Sequence, residues 1–203
     1  MPTYLSISFE YSKRHLSATT VRDFCDALLA CGTSFAGGYW GFENDSYEEI
    51  IRWNQEKLAG DFQLGDEEHY SHDYRQMMLH FGDFSEVRLF IDNSRNRPFF
   101  TFELIIPEKD FFGGEDSVSG KLQPERLALV KELAVCMWET GTMDCIQACW
   151  ESWDEPLPFA EIEAGEAPCC APFCILPQRV MRDEWQLTYR LVGRDGLLCW
   201  QEK

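Results

Sequence analysis

The chain has 203 residues, 35 of them acidic and 18 basic, for a formal net charge of −17. Its 45% hydrophobic and 14% aromatic content excludes a disordered acidic tail and is sufficient for a buried core. So negative a chain is excluded as a general binder of nucleic acid or of anionic membranes, because phosphate would be repelled.

In chain order, residues 3–11 alternate and are rich in β-formers, which predicts a first strand. Ser17 is placed to cap a helix running to about Cys31 and stopped by Gly32, with Val21, Phe24, Cys25, Leu28 and Leu29 on its apolar face. Residues 35–42 are glycine-rich and aromatic and read as a short strand or packed loop. Ser46-Tyr47-Glu48-Glu49 is a capping box that opens a helix over 47–58, followed by Gly60. Residues 61–73 are acidic and irregular, and 74–81 fit helix or strand equally well. Residues 86–92 and 98–106 alternate on either side of a polar turn and predict an antiparallel hairpin.

Residues 113–120 read as a loop, after which Pro124 starts a helix that runs to about Thr140 and ends at Gly141. Residues 143–150 read as a strand. The stretch 154–178 carries five prolines among acids and reads as a long loop or a sub-boundary within one domain spanning 1–203. A C-terminal hairpin over 184–192 and 197–201 completes the chain. The fold class expected is α+β, with a mainly antiparallel sheet and about three helices.

The nine cysteines are odd in number, and the N-terminal residues show no secretory pattern, so free thiols in a cytoplasmic protein are expected. No apolar run approaches the roughly 20 residues that span a bilayer. Chemistry-bearing motifs are sparse. The loop ending at Gly120-Lys121 misses the phosphate-loop spacing, and Leu122 stands where a magnesium-binding hydroxyl belongs. His69, His72 and His80 lie among acids without zinc-protease spacing, and Cys145, Cys149, Cys169, Cys170 and Cys174 contain no Cys-x-x-Cys pair. His15 has no specific partner, and Asp92 and Glu103 on the hairpin are a pair of carboxylates with no distinguishing spacing. No catalytic residue, metal or cofactor is expected.

The charge is unevenly placed. Residues 43–73 hold ten acids against two bases, and residues 132–178 hold nine acids and no base. The second block carries Trp138, Trp150 and Trp153 among its acids, a combination suited to a tight interface with a basic protein. The interface expected comprises Glu139, Asp144, Trp150, Glu151, Trp153, Asp154 and Glu155, with a second patch at Glu48, Glu49, Asp66, Glu67 and Glu68. In size, acidity and lack of motif the chain is similar to the immunity proteins that inhibit bacterial toxins, many of them basic nucleases. That resemblance implies electrostatic and steric masking of a basic partner without catalysis. An alternative is a small-molecule-binding protein or enzyme with a pocket on the sheet lined by Tyr39, Trp40, Phe100 and Phe102, and a third reading is a homodimer through the tryptophan-rich region.

Overall fold

The computed structural model describes residues 3–66, 70–113, 120–151 and 155–201. Among them the chain forms β1 (Tyr4–Ser12), α1 (Thr20–Ala30), β2 (Ser34–Gly38), α2 (Tyr47–Ala59), β3 (Met77–His80), β4 (Val87–Asp92), β5 (Phe99–Pro107), β6 (Phe112–Gly113), β7 (Lys121–Leu122), α3 (Pro124–Thr140), β8 (Cys145–Trp150), α4 (Phe159–Ala164), β9 (Pro172–Pro177), β10 (Thr188–Val192) and β11 (Gly196–Trp200). The fold is α+β. Nine strands form one antiparallel sheet in the order β10-β11-β9-β8-β1-β5-β4-β3-β2, and β6 and β7 make a separate two-residue ribbon.

Strand alternation divides the sheet into two faces. Leu5, Ile7, Phe9 and Tyr11 of β1, Phe100, Phe102 and Leu104 of β5, and Ile146, Ala148 and Trp150 of β8 enter the main core, which α1, α2 and α3 cover. Phe24 of α1 stacks on Phe102, and Trp138 of α3 is wholly buried. The opposite face is covered at the β8–β9–β11 end, where Cys145, Cys174, Leu176, Leu197 and Cys199 pack on Phe159 and Ile162 of α4. Further along that face, over β1, β5 and β4, polar side chains (Ser6, Ser8, Glu10, Thr101, Glu103 and Asp92) stand among Phe90, Phe99 and Ile105.

The capping box forms as expected: Ser46 Oγ accepts from the Glu49 amide at 3.3 Å, and the Glu49 carboxylate accepts from the Ser46 amide at 2.9 Å. Pro124 starts α3 and Gly141 ends it. Three local expectations change. The helix expected from Ser17 begins at Thr20, and the Ser17 hydroxyl instead bonds the Thr19 and Thr20 hydroxyls and accepts from the Thr19 amide. The ambiguous 74–81 segment holds a strand, β3, at Met77–His80, because these residues pair with both β2 and β4. The proline-rich stretch contains β9, an interior strand between β8 and β11 that its flanking prolines disguise.

The cysteines also depart from expectation. Cys31–Cys136, Cys149–Cys169 and Cys170–Cys174 are paired, and Cys25, Cys145 and Cys199 are free and buried. The first pair ties the end of α1 to α3 across 105 residues of sequence, a proximity that only the packed helices create. Among the described residues, no helix is long and apolar enough to cross a membrane.

Candidate functional site

The most exposed tryptophan among the described residues is Trp40, at 62%. It sits in the loop between β2 and α2 with a left-handed backbone (φ 56°), a conformation unfavourable for a bulky side chain. Several interactions brace this loop. Gly38 has no room for a side chain: a Cβ there would lie 2.0 Å from the Phe42 carbonyl oxygen. The Gly41 amide donates to Glu43 at 2.9 Å, the Asp45 amide to the Phe42 carbonyl at 2.9 Å, and the Tyr39 amide to the Gln76 carbonyl at 3.0 Å.

Arg75 clamps the loop onto α2. Its guanidinium lies 4.9 Å from the Phe42 ring and 4.1 Å from the Trp53 ring, and it pairs with Asp45 at 2.9 Å. Arg75 is held in turn by Asn54 of α2, whose amide donates to the Arg75 carbonyl and whose oxygen accepts from the Arg75 amide, both at 2.8 Å. Trp53 Nε1 donates to the Asp73 carbonyl at 2.8 Å. The result is a preorganised loop with an aromatic at its tip and Glu43 exposed beside it. The sequence marked 35–42 as aromatic and glycine-rich, but only the fold separates exposed Trp40 from half-buried Phe35, Tyr39 and Phe42.

The expected acidic interface is placed differently. Trp150 is 5% exposed and packs on Phe111 and Phe112, because its position on β8 faces the core; it is no surface anchor. Glu139 and Glu151 are exposed, and Asp144 is half-buried with its Oδ2 accepting from the Ser12 amide at 2.8 Å. Glu155 is exposed at the rim of a cavity described below. Trp153 and Asp154 lie outside the described residues, as do Glu67, Glu68 and His69. In the second patch, Glu48 pairs with Arg22, Glu49 closes the capping box by accepting from the Ser46 amide, and Asp66 pairs with Arg95 at 2.6 Å. The first of these pairings, together with the cap, holds both Glu48 and Glu49 below the usual carboxylate range. The two acidic blocks do not merge: α1 packs between α2 and α3, and β3 is four positions from β8 in the sheet.

The expected aromatic pocket does not form from its four residues. Phe100 and Phe102 face the helices and are buried at 1% and 0%, while Tyr39 and Trp40 lie beyond β2. A concavity of about 560 Å³ includes His15, Asp144, Arg179 and Arg194. Its arginines are already engaged, Arg179 with Glu163 at 2.9 Å and Arg194 with the Trp138 carbonyl at 2.5 Å. Among the described residues, no three His, Cys, Asp or Glu side chains are placed to hold a metal.

The polar half of the sheet's other face holds two buried carboxylates that matter electrostatically. Glu10 is pushed up to about 7, first by burial and then by the charge of Asp144, against a hydrogen bond from the Phe159 amide at 2.9 Å and the charge of Arg97. Burial likewise raises Glu103, although Ser6 Oγ donates to it at 2.9 Å. Neither a protein-family model nor a curated protein matches the chain.

Proposed function

We propose that the protein is a non-enzymatic binding protein that docks a basic protein partner, with Trp40 as the anchor and the surrounding acids as the attracting field, in the manner of toxin-immunity proteins. The observation that carries this reading is Trp40 itself: 62% exposed, on a left-handed backbone, in a loop braced from several sides. A large rigid aromatic held ready before binding loses little conformational entropy on docking, and aromatics of this kind dominate interface energetics. A net charge of −17 speeds encounter with a basic partner and repels acidic ones. The tryptophan anchor thereby moves from the second acidic block to the edge of the first.

Affinity capture from the source cells with wild-type bait and with Trp40→Ala bait tests the proposal, with bound proteins identified by mass spectrometry and the hit re-measured with purified components. The expected result is a basic protein held by wild type and weakened about 30-fold by Trp40→Ala, the loss typical of a hot-spot aromatic. A partner bound equally by both baits, or a bound set with no basic member, would overturn it.

A further inference from the structure

The helix-free face of β4, β5 and β1 contains a cavity of about 210 Å³, roofed by Pro156, Leu157 and Pro158. At roughly 30 Å³ per water it has room for about seven waters, or for one side-chain-sized group. Antiparallel register fixes its walls. Asp92, Thr101 and Glu10 lie in one row across three strands, and Glu103 lies opposite Ser8, two residues along from Thr101. Three carboxylates from three strands therefore converge on one pocket, and among the described residues Arg97 is the only cation lining it.

Thr101 supplies the second observation. It is 6% exposed, lines the cavity, and its Oγ1 has no hydrogen-bond partner among the described residues. The hydroxyl lies near enough to Glu103 to favour its charged form, yet out of hydrogen-bond alignment with it. A buried hydroxyl without a partner is destabilising unless something fills the site.

We propose that this cavity is a binding site for one organic cation, an alkylammonium or guanidinium group, held by Glu103, Glu10 and Asp92 with Thr101 at its centre. Among the described residues no three His, Cys, Asp or Glu side chains are placed to hold a metal ion, whereas the several N–H donors of an organic cation can each bond a different carboxylate or hydroxyl of the cavity wall. Arg97 Nη1 lies 3.6 Å from Asp92 with its side chain half exposed, so it is an internal rival at the entrance. The site is separate from the Trp40 loop, and its test needs no partner protein.

The test is titration of the intact protein with methylguanidinium and with propylammonium chloride, followed by amide NMR shifts of residues 8–10 and 101–103, against sodium chloride at equal ionic strength. The expected result is saturable shifts that weaken about tenfold or more in Glu103→Gln, as loss of a charge-assisted hydrogen bond implies. Binding should tighten between pH 5.5 and 8 as Glu10 loses its proton, and Arg97→Gln should tighten it further. Tetramethylammonium, which has no N–H, should not compete. Shifts no different from sodium chloride, or an unaltered response in Glu103→Gln, would overturn the site. If Glu103→Gln does not fold, Arg97→Gln decides, and no tightening there counts against the site. A free diamine and an arginine-bearing peptide distinguish a metabolite from a protein side chain as the natural source, and failure of both overturns the proposal.

Discussion

Glu10 makes stability depend on pH in a direction opposite to that of an ordinary surface carboxylate. It is 6% exposed, and burial raises it from 4.5 to about 7. Folding therefore favours its protonated form. The stabilisation is complete below about pH 4.5, where both states are protonated, and is lost as pH rises through about 7. At about 1.4 kcal/mol per pH unit, the gap between the two values corresponds to an upper limit of about 3 kcal/mol at pH 8. Glu10→Gln removes the titration while its side-chain oxygen can still accept from the Phe159 amide. Urea unfolding of both proteins at half-unit steps from pH 4.5 to 8 isolates this group, because every other side chain is common to both. The variant should gain on wild type by about 2–3 kcal/mol across that range, most of it between pH 5 and 7.5. A difference that stays flat from pH 5 to 8 would refute the assignment of a buried, reluctantly ionised Glu10.

Other perturbations test the Trp40 loop and its support. Trp40→Gly should stabilise the fold by about 1 kcal/mol in urea, since glycine accepts the left-handed backbone, while abolishing partner binding. Equal or lower stability would show that the conformation is not strained. Gly38→Ala must push the Phe42 carbonyl aside and should cost about 2–3 kcal/mol by the same measurement. Arg75→Met removes the clamp on Phe42 and Trp53 and leaves Asp45 without its ion pair; a loss of about 2 kcal/mol and a change in tryptophan fluorescence are expected.

The parts of the fold legible in the sequence are those fixed by local chemistry. The capping box at Ser46, the proline at the start of α3 and the alternation of β4 and β5 each act within a few residues. What the sequence hides is decided by distant partners. The segment around Met77 is a strand because two neighbours pair with it, and β9 is one despite a proline at each end. The pairing of Cys31 with Cys136 needs α1 already lying on α3. The cavity was half legible. Ser6, Ser8 and Glu10 alternate with apolar residues, as do Thr101 and Glu103, which announces a polar face on each strand. An alternating polar face ordinarily meets solvent. Here the 156–158 segment covers it, and no local pattern records that return of the chain across the sheet.

Charge and tryptophan divide the work of docking between two rates. Many acids of the first block are neutralised locally by bases from elsewhere in the chain: Asp45 by Arg75, Glu48 by Arg22, Asp61 by Lys13 and Asp66 by Arg95. The remaining negative field is diffuse, because the two blocks lie on different sides of α1. A diffuse field accelerates encounter but provides little specific grip once partners touch, and salt screens it over about 8 Å at physiological ionic strength. Trp40 acts only at contact. Raising salt from 50 to 500 mM should therefore slow association about tenfold or more and leave dissociation nearly unchanged, whereas Trp40→Ala should speed dissociation about 30-fold and leave association nearly unchanged. Both rates are read in one surface-based kinetic experiment on the partner complex. A Trp40→Ala effect confined to association would place the anchor elsewhere on the protein.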